Sequence, residues 1–371
     1  MKAIIRSPMK YIQGKDVLCH LCDEVSFLGK AGAFAIVGPS ALRKYEQRIT
    51  GSFTGAFKIV TRKFGGECSQ AEVDRILPEV KASGCDVIIG IGGGKTLDTA
   101  KAVGFHAGLP TVIVPTAASS DAPCSALSVL YTEDGCFDKY LFLKNNPEAV
   151  ILDSAVIADA PVRLLAAGMG DALATFYEAR SCRRSGAVSI AGGVCSETAM
   201  AIATACRDIL FAHGVRARLA AECGVVNAAL EAVIEANTYL SGVGFESGGL
   251  AAAHSIHNGM TAVEAMHGML HGEKVAFGTL VHLVLENAPQ EEVAEVIEFC
   301  QAVGLPTTLA ELGLTEAVPE AVMTLARAAC AEGETIHNMP FPVAADDVYA
   351  AVLVADRLGQ AYMHDDCHCG E

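Results

Sequence analysis

The chain has 371 residues, a formal net charge of −16, 51% hydrophobic residues and 19% charged ones. That length leaves room for two domains or one large one with an ample core, and the apolar balance excludes a disordered chain. The acidic balance excludes nucleic acid as a natural partner, since phosphate backbones select basic surfaces. No run of about twenty uninterrupted apolar residues occurs, so no membrane span is expected. The start, MKAIIRSPMKYIQGKD, is charged throughout and does not read as a secretory signal. The fourteen cysteines are scattered, which reads as reduced thiols in the cytoplasm.

In chain order, the first strands are the apolar runs at 33–38, 56–61, 86–92, 111–116 and 149–153. Continuous runs of this kind suit a sheet covered on both faces. Helical patterns such as SQAEVDRILPEVKASG and TLDTAKAVGFHAG lie between them. Strand–helix alternation predicts a parallel sheet of dinucleotide-binding type. The stretch LSVLYTEDGCFDKYLFL, with Asp134-Gly135 between two alternating runs, predicts a hairpin. After Asp153 the pattern becomes alanine-rich and helical, with Pro161 at a position that a first helical turn tolerates. The reading is therefore an α/β dinucleotide-binding domain over 1–158 and an all-helical domain over 159–371. The ligand site is expected in the cleft between them.

The sequence Gly90-Ile91-Gly92-Gly93-Gly94-Lys95-Thr96 ends a buried strand and predicts a helix from about Thr96. Glycines allow close backbone approach and a helix N-terminus offers free N–H groups, a combination that cradles pyrophosphate. It fits neither the G-x-x-x-x-G-K-[ST] nor the G-x-G-x-x-G pattern, but the strand–loop–helix context favours phosphate binding over a tight turn without ligand. The next strand ends in Thr116-Ala117-Ala118-Ser119-Ser120-Asp121, a hydroxyl-rich loop with one charge. Asp121 suits a polyol contact or a turn cap.

Four histidines crowd one window as His254-x-x-His257 and His267-x-x-x-His271. Those spacings place each pair on one helix face, and imidazole is the commonest protein ligand for a catalytic metal. Core or surface histidines satisfied by carbonyls and water are the other reading. Two histidines with one carboxylate would suit zinc or ferrous iron. Asp171, set among glycines and alanines, is the candidate acid, unless it stabilises a helix start. Cys19-x-x-Cys22 lacks a second pair, and the tail His364–Cys369 is expected to bind metal adventitiously at most.

Together GIGGGKTLDTAKAV, PTAASSDAPCSALSVLYT, LLAAGMGDALATFYEA, ESGGLAAAHSIHNG, HGEKVAFGTL and AEGETIHNMP resemble the glycerol dehydrogenases of the iron-containing, or group III, alcohol dehydrogenase superfamily. The resemblance spans about residues 80–360 and implies a fold shared with 3-dehydroquinate synthase. It implies oxidation of glycerol to dihydroxyacetone and the reverse, with NAD, and action on 1,2-diols. It also implies zinc, rather than iron, on Asp171, His254 and His271, with His257 and His267 outside the ligand set. Thr175 stands where iron-dependent relatives carry a further histidine. By the same resemblance, Asp121 and His254 face the substrate. Gly92, Gly93, Gly94, Lys95, Thr96, Thr116, Ser119, Ser125, Leu127 and Tyr131 face the dinucleotide. The family's usual acid after the first strand is replaced by Pro39, which weakens the rejection of NADP. A homo-oligomer, an octamer in particular, is also implied. The competing readings are a reductase of 2-oxo compounds or aldehydes using NADP and a 3-dehydroquinate synthase-like lyase. The scarcity of basic residues near the histidines weighs against the lyase.

Overall fold

The computed structural model describes residues 2–315 and 319–365. Six parallel strands form one sheet: β1 (Lys10–Gly14), β2 (Gly32–Val37), β3 (Lys58–Lys63), β4 (Val87–Gly92), β5 (Thr111–Pro115) and β8 (Ala149–Asp153). Their spatial order is β1-β8-β5-β4-β2-β3. A separate antiparallel hairpin joins β6 (Leu127–Tyr131) to β7 (Phe137–Phe142) across the expected Asp134-Gly135 turn. The expected strand at 56–61 sits two residues further on. Strand β1 escaped the sequence reading, because KYIQG is a half-buried edge strand with no continuous apolar run.

Five helices accompany the strands: α1 (Leu21–Val25), α2 (Pro39–Thr50), α3 (Gln70–Ser83), α4 (Gly94–Ala107) and α5 (Ser154–Ala158). Alternate residues of each strand feed opposite faces. Ala33, Ala35, Val37, Ile89 and Ile91 enter one core, whereas Phe34, Ile36, Ile88 and Ile113 enter another. This two-sided burial is why the strands read as unbroken apolar runs. Helix α3 starts at Ser69, whose hydroxyl accepts from the Glu72 N–H at 3.2 Å. Helix α4 starts at Gly94, two residues before the expected Thr96.

From α6 onward every α or β element is helical: α6 (Val162–Ser185), α7 (Glu197–Glu222), α8 (Ala228–Glu235), α9 (Ser241–Gly248), α10 (Ala252–Met260), α11 (His271–Leu285), α12 (Gln290–Val303), α13 (Pro319–Ala329) and α14 (Ala345–Asp365). Pro161 precedes α6 rather than occupying its first turn. A single π-helical turn, Ala236–Leu240, joins α8 to α9. The core under the second face of the sheet runs on into these helices, taking in Met169, Leu173, Phe277 and Leu280. The described cysteines are all unpaired, including Cys19 and Cys22. The cysteines of the tail, Cys367 and Cys369, lie outside the described residues.

Candidate metal and nucleotide site

The chain runs β2 to β3 in one direction across the sheet, then returns past β2 to β4 and continues to β5 and β8. The reversal lies between β2 and β4, and the carboxyl ends of strands at such a reversal form a ligand crevice. Gly92 ends β4 there, and Gly93 and Gly94 open α4. The strand packs tightly on the helix: a Cβ added at Gly90 would sit 2.5 Å from that of Ala100. A Cβ added at Gly93 or Gly94 meets nothing within 4 Å. The helix start thus faces open space, which fits a bound pyrophosphate.

Around this turn, the Thr96 side chain lies beneath Gly92 and Gly38. Lys95 pairs with Glu67 and lies over the Tyr131 ring at 5.0 Å. Thr116 donates its N–H to the Gly92 carbonyl, and Ser119 and Leu127 are half-buried. Ser125 turns inward, its hydroxyl donating to the Ala122 carbonyl at 2.9 Å. Lys101, 1% exposed, donates to the Ala122 and Leu127 carbonyls at 2.6 and 3.0 Å. Its ammonium thereby clamps the segment that follows Asp121.

Asp171, His254 and His271 come together from α6, α10 and the first residue of α11. One potential ligand atom from each lies within 4.8 Å of the others. The Nε2 atoms of His271 and His254 face the same oxygen, Asp171 Oδ1, at 3.1 and 3.4 Å. Asp171 is fully buried, and its other oxygen accepts the Asp121 N–H at 3.1 Å. His254 is nearly buried, while the His271 side chain is 41% exposed and opens the group to solvent.

Each ring is held through its other nitrogen. His254 Nδ1 lies 2.6 Å from Glu178 Oε2, and His271 Nδ1 lies 3.0 Å from His257 Nε2. With Nδ1–H donating in both rings, both Nε2 lone pairs point at the common centre, as a metal requires. Burial disfavours charge on His254, yet Glu178 and Asp171 outweigh it and hold its pKa well above the ordinary value. Burial would raise the Asp171 pKa, but His271 and His254 pull it far below the carboxylate range. Burial and the neighbouring Asp171 push Asp121 well above that range. A fully buried carboxylate with two imidazole nitrogens aimed at one of its oxygens is a donor set that a divalent cation fits.

The two histidine pairs do not behave as their spacing predicts. His254 and His257 share α10, but His267 precedes Gly268, outside α11, and its Nε2 faces the Thr261 carbonyl at 2.9 Å. The paired spacing of His267 and His271 is therefore not helical. Asp121 sits behind Asp171 with Oδ2 accepting from Ser241 Oγ at 2.8 Å, and Ser241 contacts Thr175 Oγ1 at 2.8 Å. Thr175 thus places a hydroxyl that braces Asp121 through Ser241. Sequence reasoning missed Ser241 and Glu178. Glu178 had a legible signal: on α6, Asp171, Thr175 and Glu178 follow i, i+4, i+7 spacing on one face.

A nucleotide-type sheet with a glycine turn at its reversal, set against helices that converge two histidines and an aspartate, is the frame of a metal-using alcohol dehydrogenase. A family model described as iron-containing alcohol dehydrogenase matches residues 8–154. The chain is 56% identical over 367 residues to a glycerol dehydrogenase of Escherichia coli O6:H1, covering 98% of this chain and all of that one. It is 42% identical to a glycolaldehyde reductase of Halobacterium salinarum, covering 97% of this chain and 99% of that one. The crystal structure of glycerol dehydrogenase from Schizosaccharomyces pombe superposes with a TM-score of 0.93 at 40% identity, covering all of this chain and 94% of that one. The chain belongs to the glycerol dehydrogenases of the iron-containing alcohol dehydrogenase family.

Proposed function

We propose that this oxidoreductase interconverts glycerol and dihydroxyacetone, and oxidises related 1,2-diols, with NAD as hydride acceptor and one zinc ion. The observation that carries this reading is the convergence of Asp171, His254 and His271 beside Asp121. Asp171 and the Nε2 atoms of His254 and His271 would hold the zinc. Asp121 and His254 would face the polyol. Gly92, Gly93, Gly94, Lys95, Thr96, Thr116, Ser119, Ser125, Leu127 and Tyr131 would line the dinucleotide. The division into an α/β domain over 1–158 and a helical domain over 159–371, with the site between, goes with this reading.

When bound, the cation supplies Lewis acidity toward the alcohol oxygen and the nicotinamide supplies the hydride acceptor. The protein's part is orientation. Asp121, braced by Ser241, can accept a hydrogen bond from a second hydroxyl and so favour diols over simple alcohols. His254 and His271 each engage Nδ1 with a protein partner, so neither ring is free to accept the alcohol proton. That proton leaves through water or the cofactor ribose.

NADP is also accepted on this reading, because Pro39 offers no carboxylate at the start of α2. Lys44 is tied to Asp159 at 2.8 Å, which leaves exposed Arg43 as the cation for a 2′-phosphate. The unpaired thiols support a reducing, cytoplasmic setting, and the family resemblance supports a homo-oligomer, an octamer in particular.

The test is a panel of glycerol, 1,2-propanediol and a simple secondary alcohol, each with NAD and NADP, before and after chelation. Reduced-cofactor absorbance is the readout. Turnover of the polyols, lost on chelation and restored by zinc, is expected. In the same panel, Asp121→Ala should lower kcat/KM for glycerol by about two- to tenfold, the loss of a hydrogen bond being worth about 0.5–1.5 kcal/mol. The simple alcohol should lose less. No turnover of any polyol by the zinc-replete protein overturns the proposal.

A further inference from the structure

We propose that Glu178 is a positioning residue for the metal, fixing the ring and tautomer of His254 from across the helix interface. The inference rests on the metal reading of the Asp171–His254–His271 group. Glu178 is fully buried on α6, two turns beyond Asp171. Its two oxygens do different things. Oε1 accepts the backbone N–H groups of Ala251 and His254 at 2.8 and 3.0 Å, and Oε2 faces His254 Nδ1 at 2.6 Å.

The first pair of bonds closes the N-terminus of α10. The residue before that helix is Ala251, which has no side chain to cap it. An anion at a helix start satisfies free donors and meets the positive end of the helix dipole. The other oxygen takes Nδ1–H of a side chain in the same first turn. One carboxylate thus fixes both the helix end and the ring that projects from it. His254 is left with one usable lone pair, on Nε2, aimed at Asp171 Oδ1.

Charge makes the same point. Among the described residues, no lysine or arginine forms a salt bridge with Glu178; its ion-pair partner is His254. A fully buried carboxylate without a fixed cation is costly. Three N–H donors, from Ala251, His254 and the His254 ring, and through that ring a bound cation, supply the compensation. His271 has a different arrangement, because its Nδ1 partner is the neutral-capable ring of His257 on a more exposed side. The two histidines of the site are thus held by unlike partners, and the anionic one backs the more buried ligand. An anionic acceptor raises the basicity of a ligating imidazole, and removing such partners costs about 10–100-fold in metal affinity.

The test compares wild-type protein, Glu178→Gln and His257→Ala by zinc titration of the chelator-stripped protein, with cobalt absorption reporting ligand geometry. The melting temperature of each metal-free protein is measured alongside. Glu178→Gln should bind zinc 10–100-fold more weakly, with an altered cobalt spectrum and a metal-free melting temperature close to wild type. Zinc affinity equal to wild type overturns the proposal. A lowered metal-free melting temperature with unchanged zinc affinity also overturns it, since that marks a purely structural role. Should Glu178→Gln not fold, the crystal structure of the zinc-loaded wild type decides. Zinc on His254 Nε2 with Glu178 still on Nδ1 supports the proposal; zinc on Nδ1, or Glu178 turned away, overturns it. Failure of the wild type to bind zinc at all refutes the metal reading itself and is thereby told apart from failure at Glu178.

Discussion

Glu286 illustrates how the helical half holds charge in its interior. It sits just after α11, where Arg180 donates to it at 2.8 Å and Ser181 donates to its other oxygen. Burial works against its ionisation, but His282, Ser181 and Arg180 outweigh burial and bring its pKa from 4.5 down to about 2. A depressed carboxylate contributes stability that is complete above its unfolded pKa and lost as pH falls through the folded value. The contribution of Glu286 is therefore constant above about pH 5 and fades between about pH 4.5 and 2. Urea unfolding of wild type and Glu286→Gln across that range should show a stability gap that narrows with acid. A gap independent of pH would mean that the ionised carboxylate is not what stabilises this corner.

At the scale of elements, the meeting of α6 and α11 depends on small residues. Gly170 and Gly272 stand next to Asp171 and His271. A Cβ added at Gly272 would lie 1.7 Å from the Ala167 carbonyl oxygen, and one added at Gly170 would lie 2.3 Å from the Gly272 carbonyl oxygen. The backbones touch, and this contact lets a carboxylate on one helix reach an imidazole on the other at 3.1 Å. Overpacking of this kind costs about 1–3 kcal/mol, more where backbone must move. Gly272→Ala should therefore lower the denaturant midpoint and weaken zinc binding together. An unchanged midpoint with full zinc affinity would show that the helices separate without cost.

Across the whole molecule, the sheet and the helices share one continuous core and several polar ties. Asn237, in the π-turn, donates to the Ala118 and Leu165 carbonyls at 3.0 and 3.2 Å. Glu246 accepts from Ala126 N–H at 3.3 Å and from Asn146. The loop carrying Asp121 is thus gripped by the helical half, so the proposed metal and nucleotide would load the same structure. A ligand present at a hundred times its Kd stabilises the folded state by about 2.7 kcal/mol. Zinc and NAD should each raise the melting temperature of metal-free protein, and Asp171→Ala should lose the zinc increment while keeping that of NAD. Loss of both increments would mean that Asp171 maintains the nucleotide crevice as well.

The sequence by itself determined the layers. Two-sided apolar runs could become little other than a covered parallel sheet, and the 3.6-residue pattern after Asp153 could become little other than helices, because these periodicities are local. The strand-to-helix turn at Gly93 and Gly94 was legible for the same reason. The edge strand β1 was not, since pairing with β8 rather than its own pattern makes it a strand. Asp171 stood out as the candidate acid from its apolar surroundings, but choosing His254 and His271 needed a family resemblance, and residue spacing misled: His267 lies off the helix, and His257 contacts His271 rather than Asp171. Only the tertiary structure brought Glu178, Ser241 and Asp121 to the same centre. Contacts between residues 76 or 120 positions apart carry no periodic signal, and the helix packing alone decides which polar side chain ends up facing which.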